Sequence, residues 1–397
     1  MKKNDQVSLW YLFYTFLKIG SAAFGGFMSL IAVIQHQLAE RDKVIKQEDV
    51  LDGITLTSIL PGPMAVNTVA YIGYKLRGTK GALISMLAVI IPSFILICSL
   101  SYLYFEYGEL TLVKSAFNGI VPAVCGVILS IGYKMGRKHI TDYKQIIIAF
   151  ASTAFLFFIG GFFTTFLIII VGGIIGFVFY KGSIPKERSK GKIALKLVIY
   201  PLILIAICLL IIPVKQLIVD PHEGLIDLSF SLLGTFSSVS ISLFGGGYVF
   251  LPVMQEIIVD HHQWVNTQEF ADGIALGQVT PGPIMITATF VGYKVMGVGG
   301  AAIATVGMFL PPGLLTVFCA RFFDILSGSS VVKAAFKGIR PAVIGMILSA
   351  ALIIGKDLEP VWQSYLIGIA TLGLSIFTKI HLIYLILAAG ILGIWLF

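Results

Sequence analysis

The stretch Phe24-Gly25-Gly26, followed 37 residues on by Pro61-Gly62-Pro63, recurs as Phe244-Gly245-Gly246 and, again 37 residues on, Pro281-Gly282-Pro283. Outward from these anchors the match continues. Asp52-Gly53-Ile54 pairs with Asp272-Gly273-Ile274, and Gly73-Tyr74-Lys75 with Gly292-Tyr293-Lys294. Pro92 pairs with Pro311, and Gly119-Ile120-Val121-Pro122-Ala123 with Gly338-Ile339-Arg340-Pro341-Ala342. The offset is 220 through the Pro-Gly-Pro and 219 beyond it, so one residue is lost just after the second Pro-Gly-Pro. One deletion inside a continuous helix would turn everything downstream by about 100°. A break already present absorbs it. Gly/Pro-interrupted apolar segments at matching places in two halves point to the binding site of a transporter.

The composition places these breaks in a membrane. Hydrophobic residues make up 57% of the chain, charged residues 12%, and mean hydropathy is +0.95. Apolar runs of about 20 residues recur, as bilayer-crossing helices require. A net charge of +8 could suggest nucleic acid, but the basic residues sit in short loops between spans, where the positive-inside rule accounts for them. Cys98, Cys125, Cys208 and Cys319 lie in apolar stretches without a CxxC or a neighbouring His. They read as small buried hydrophobes, with neither disulfide nor metal. The N-terminal Lys2-Lys3 and apolar run resemble a signal peptide, but its counterpart in the second half is internal, so residues 1–34 are expected to stay in the fold.

The expected architecture is all-α and polytopic. Residues 1–180 form a first repeat of about six membrane elements, near 9–34, 50–74, 82–105, 112–133, 143–159 and 162–180. Residues 181–227 hold a basic cytoplasmic loop and one linking helix near 195–214, and 228–397 form the second repeat. A single linking span delivers the second repeat to the opposite face, so the halves are expected to be inverted. Lys2, Lys3, Lys75, Arg77, Lys80, Lys134, Arg137, Lys138 and Lys144 fall on the same face as the basic 181–196 segment, which predicts a cytoplasmic N-terminus. Each Pro-Gly-Pro segment is either one broken span or a re-entrant hairpin with Pro-Gly-Pro at its tip.

Irregular backbone survives at membrane depth only when buried in protein or facing a watery cavity. Pro-Gly-Pro removes two backbone donors and turns the preceding residue away from helical angles. Each break therefore leaves a helix N-terminus with free N–H groups and about half a positive charge, which suits an anion. Neutral donors cluster nearby: Thr55, Thr57, Ser58, Asn67 and Thr68 in one half, Gln278, Thr280, Thr287 and Thr289 in the other. The expected substrate site is thus Phe24, Gly25, Gly26, Ser58, Pro61, Gly62, Pro63 and Asn67 with Phe244, Gly245, Gly246, Gln278, Thr280, Pro281, Gly282, Pro283 and Thr287. Packing alone is the plainer explanation of any single break, but not of both motifs twice at one spacing.

These motifs resemble the chromate ion transporter family over essentially the whole chain, in its two-domain form. The second half carries Phe244-Gly245-Gly246, Trp264, Phe270 and Gln278-Val279-Thr280-Pro281-Gly282-Pro283. The first keeps both glycine and proline motifs but has Val44, Val50 and Ser58 for the Trp, Phe and Gln. The resemblance implies chromate export across the plasma membrane, coupled to the proton-motive force, with chromate resistance as its phenotype. Sulfate, a dianion of similar shape, is the natural competitor, and the departures in the first half leave another anion open. A sulfate permease, an anion channel and a non-transporting scaffold are the alternatives. A homodimer is also open. No cofactor is implied.

Other charged residues have a functional and a plain reading. Lys18 lies within the first span, opposite Ser238, and either lines the interior or snorkels. Arg340, opposite Val121, either meets substrate or anchors a span end. Asp52 and Asp272, nine residues before each Pro-Gly-Pro, either carry a coupling proton or balance a helix N-terminus. His261-His262 beside Asp260 reads as a solvated loop rather than a metal site. No nucleophile elbow, HExxH or Walker sequence is present, so the chain does not read as an enzyme or an ATP-driven pump. Alternating access is expected from rocking of one half against the other.

Overall fold

The computed structural model describes residues 7–23, 27–58, 60–108, 110–159, 162–183, 224–243, 250–320, 330–356, 358, 360–378, 380 and 382–397. Both Phe-Gly-Gly motifs and the linking span expected near 195–214 lie outside them. The described elements are helical. The first series is α1 (Leu9–Ala22), α2 (Phe27–Ile34) continued by a π-helical Gln35–Arg41, α3 (Gln47–Thr57), α4 (Met64–Tyr107), α5 (Thr111–His139), α6 (Tyr143–Ile159) and α7 (Phe162–Tyr180). The second is α8 (Leu225–Ser242), α9 (Phe250–Met254) with a π-helical Gln255–His261, α10 (Thr267–Val279), α11 (Thr287–Ala320), α12 (Ser330–Lys356), α13 (Trp362–Phe377) and α14 (Leu382–Leu396). Among the described residues five helices are long and apolar enough to cross a bilayer, with shorter apolar helices beside them. The protein is a multi-pass membrane protein.

The first elements do not cross. The Tyr11 hydroxyl bonds the Asp42 carboxylate, so the chain returns from the tip of α1 to the face where α1 began. The segment 9–34, expected as one element, is therefore two antiparallel arms. The next segment settles the open alternative at Pro-Gly-Pro. Thr57 and Thr68 share a hydrogen bond of 2.9 Å, and Asp49 pairs with Lys75 at 2.9 Å. These contacts run antiparallel, so α3 and residues 64–76 form a re-entrant hairpin with Pro61-Gly62-Pro63 at its tip.

The chain then reverses within α4. Arg77 and Gly78 leave helical angles, with Gly78 at φ +64° and ψ −157°, a conformation open essentially to glycine. Residues 79–107 run back along the hairpin, with Gly73 and Gly81 backbone to backbone. These 29 residues reach about 43 Å, enough to cross. The second half repeats the device. Glu269 pairs with Lys294 at 2.8 Å, Met296-Gly297 makes the reversal, and Thr289 and Thr305 then share a 2.7 Å bond across it.

The two halves are inverted. The base of the first hairpin lies where residues 79–107 begin, Gly73 against Gly81. The base of the second lies where they end, with Phe290 and Tyr293 stacked on Phe105. Ser183 and Gly224 consequently fall on opposite faces. The near face, where α1 starts, carries Arg41, Lys43, Lys46, Lys75, Arg77, Lys80, Lys134, Arg137, Lys144 and Lys181. The far face has Lys114, Lys294 and Lys356.

The closing helices of each half are exchanged. α6 and α7 pack on α12, while α13 and α14 pack on α5. Glycines permit the close approach: a Cβ on Gly338 would overlap the Gly172 carbonyl, and one on Gly119 the Ala389 carbonyl. Such small-residue contacts drive helix association in lipid, where apolar transfer contributes little. The repeated Gly-Ile-x-Pro-Ala segment is thus a packing seam. The result is two bodies, each built from both halves. One is a core of α1–α4 and α8–α11; the other is a frame of α5–α7 and α12–α14. Rocking of one sequence half against the other does not fit this interleaving.

Candidate functional site

The two hairpin tips meet inside the core. The Gly62 N–H donates to the Leu243 carbonyl at 2.6 Å, and the Gly282 N–H donates to the Ala23 carbonyl at 2.9 Å. Donors and acceptors are both offset by 220, so this is one bond made twice across a pseudo-two-fold axis. Each tip thus grips the residue that leads into the Phe-Gly-Gly of the other half. Gly62 and Gly282 sit at φ +100° and +109°, which a side chain rarely adopts. Each tip also abuts the crossing arm of the opposite half. Gly62 lies against Pro312, and the Ser93 hydroxyl donates to the Pro281 carbonyl. Ser93 is midway along residues 79–107, which puts the tips at mid-depth.

The structure brings Pro61, Gly62, Pro63 and Asn67 together with Thr280, Pro281, Gly282, Pro283 and Thr287, all buried. Ser58 and Gln278 stand at the half-buried ends of α3 and α10. The picture of bare amides needs correcting at the central glycines, because both of their N–H groups are bonded. The helical segments that follow begin at Met64 and at a 3-10 turn, Ile284–Ile286, that leads into α11, and neither Pro63 nor Pro283 supplies a side-chain cap. Nor are the neutral hydroxyls poised as donors to an anion. Ser58 donates to the Thr55 carbonyl at 2.8 Å, Thr280 to Gly277 at 2.9 Å and Thr287 to Ile284 at 2.8 Å. Each is spent on a backbone carbonyl three residues back in its own segment. Asn67 donates to the Pro61 carbonyl at 2.9 Å, while its own side-chain oxygen is buried without a partner among the described residues.

A second feature lies on the far face, at the seam between core and frame. A cavity of about 480 Å³ is lined by Tyr104, Gln268, Glu269, Asp272 and Lys294 from the core and by Lys114, Asn118 and Ser364 from the frame. Asp272 is 3% exposed and accepts from the Tyr104 hydroxyl at 2.6 Å and from Gln268 at 3.0 Å. Asp52, its counterpart, is half-buried.

Lys18 is exposed on the outer face of α1, in line with Trp10 and Tyr14, and does not face the tips. Arg340 is half-buried in α12, near the Phe336 ring at 6.0 Å, within the packing seam. Sequence reasoning missed Ser93, Pro312, Tyr104 and the carbonyls of Ala23 and Leu243. A signal for two of them existed. Ser93 and Pro312 correspond at the 219 offset, each one residue after a repeated proline.

The family model described as "Chromate transporter" matches residues 10–177 and 230–394. An uncharacterized transporter of Methanocaldococcus jannaschii is 30% identical, the alignment covering 99% of this chain and 96% of that protein. A chromate transport protein of Cupriavidus metallidurans is 28% identical over 96% of this chain and 91% of its own length. A shorter transporter of Bacillus subtilis is 31% identical over 42% of this chain but 96% of itself, so a relative the size of one half exists. No solved structure matches. With its doubled motif and its match across both halves, the chain belongs to the chromate transporter family.

Proposed function

We propose that the protein is a secondary transporter of a divalent tetrahedral oxyanion, with chromate as substrate and sulfate as competitor. The observation that carries this reading is the meeting of two Pro-Gly-Pro hairpins. They enter from opposite faces, interlock at mid-depth and each lead into a helix start without a side-chain cap. Such starts favour negative charge without a lysine or arginine in the bilayer. Relatives named as chromate transport proteins support the choice of anion.

The near face is cytoplasmic on this reading, since it carries most of the arginine and lysine. The direction is export. An interior-negative potential drives a dianion outward by about 2.3 kcal/mol per charge per 100 mV, so the electrical part of the proton-motive force suffices. Alternating access comes from the core moving against the frame. The tips travel with the core, and the far-face cavity is the open side of that seam.

Labelled chromate uptake into everted membrane vesicles tests the proposal. Accumulation above the medium concentration, lost on adding a protonophore and competed by sulfate, is the expected result. Flux that neither saturates with chromate concentration nor is accelerated by chromate on the opposite side would identify a channel. No chromate flux above vesicles lacking the protein would end the reading.

A further inference from the structure

We propose that Asp272 is a proton-binding site and that its protonation sets oxyanion occupancy of the far-face cavity. This deepens the proposed function and rests on it.

The geometry is that of a carboxyl group held at a solvent-facing wall yet almost wholly buried. Asp272 lies in the second turn of α10, 3% exposed, and lines the cavity. Its two side-chain partners are a phenol and an amide, Tyr104 at 2.6 Å and Gln268 at 3.0 Å. Both are neutral, so neither compensates a full charge as a lysine would. The Tyr104 ring is itself clamped edge-on by Phe105, Phe117 and Phe290, which fixes the hydroxyl.

The charged groups around Asp272 come from three elements. Glu269 stands on its own helix, Lys294 on the other hairpin arm and Lys114 on α5. Lys294 pairs with Glu269 at 2.8 Å and lies over the Phe105 ring. Gln268, Asn118 and Ser364 contribute neutral polar groups. The cavity's charged side chains are therefore two lysines and two carboxylates. One proton on Asp272 removes one negative charge from this lining. A dianion entering the cavity meets repulsion from an ionised Asp272 and none from a protonated one, so proton and anion binding are positively linked. Reciprocity follows: the anion must also favour proton uptake by the protein.

The first half does not reproduce this. Glu48 aligns with Gln268 in the sequence, so the helix of Asp52 does not offer the same amide, and Asp52 itself is half-buried rather than buried.

Chromate affinity of the purified full-length protein in detergent, measured between pH 5 and 9 for wild type, Asp272→Asn and Asp272→Glu, tests this. Taking the ratio of variant to wild-type affinity at each pH removes chromate's own titration. The Asp272→Asn ratio should rise with pH toward tenfold per unit, the limit for one linked proton. Asp272→Glu should keep the wild-type pH response, and Tyr104→Phe, which preserves the ring packing, should displace the midpoint of that response without flattening it. Infrared difference spectra give an anion-independent readout: a protonated-carboxyl band that titrates in wild type and vanishes in Asp272→Asn. An Asp272→Asn ratio that is flat with pH, or a band unchanged by the substitution, overturns the proposal while leaving chromate transport intact. Absence of chromate binding to wild type at every pH would instead remove the proposed function and this inference with it.

Discussion

The two re-entrant hairpins share a backbone and differ in chemistry. Both turn on Pro-Gly-Pro with a left-handed glycine, both close with a carboxylate–lysine pair at the base, and both reverse again at a left-handed glycine. At the first base, however, Asp52 is half-buried beside Glu48 and Asp49. At the second, Asp272 is buried under a tyrosine and a glutamine in the wall of a cavity. Symmetry is kept where geometry must serve both faces of the membrane. It is broken where the two faces do different chemistry.

The tips should be the most sensitive points, and not equally so. An added Cβ at Gly62 meets the rigid ring of Pro312, whereas at Gly282 it meets the Ser93 hydroxyl, which can rotate away. Backbone strain applies to both. Gly62→Ala should lower chromate flux on the order of 100-fold and Gly282→Ala about tenfold. Equal losses would break the asymmetry argued from these neighbours.

The reversals should behave alike instead. Gly78 and Gly297 have similar angles, and nothing lies within 4 Å of an added Cβ at either. Alanine at each should cost about 1–3 kcal/mol by strain alone, read from denaturation midpoints in detergent. A clear difference between the two would mean that the halves do not share one scaffold.

A third comparison uses pH. Asp42 and His262 occupy the same position after each π-helical segment, offset by 220. The Tyr11 hydroxyl holds the Asp42 carboxyl below its ordinary range. Burial, then the neighbouring His261, pushes the His262 imidazole down to about 4. Both signs run the same way. Above its unfolded value each group is in the form the fold prefers, and stability is lost as pH falls through the folded value. Stability should therefore decline on acidification. His262→Gln should flatten the part between the unfolded histidine range and about pH 4. A steep limb surviving there in His262→Gln would contradict this.

The smallest effects belong to the hairpin bases. Lys75→Met and Lys294→Met each remove a partly exposed ion pair, so each should shift stability by under about 1 kcal/mol in the same denaturation assay. Asp52→Asn should leave the pH dependence of chromate binding unchanged, in contrast to Asp272→Asn. A pH response that moved with Asp52 would erase the distinction between the faces.

The repeat, the breaks and the inversion are legible in sequence because each depends on local chemistry. Proline and glycine forbid a continuous helix wherever they stand, and loop charge reports sidedness. The hairpin at 9–34 was harder to see, since one apolar run looks the same whether it crosses or folds back. Thr280 and Thr287 read as ligand donors because a sequence shows their hydroxyls but not the carbonyls of Gly277 and Ile284 that occupy them. The exchange of α6–α7 with α13–α14 was invisible for a related reason. Gly119 and Gly338 announce close packing, but nothing local to them says which helix will arrive.

That exchange bears on how the chain is made. α5 leaves the ribosome early, but the helices that cover it, α13 and α14, begin only at Trp362 and Leu382. Until they are synthesised, the glycine-lined flank of Gly119 and Gly126 stands open in the bilayer, a ready place for a holding factor or a wrong helix. A nascent protein halted before Trp362 should therefore be recognised as unfinished, however well its first hairpins have formed.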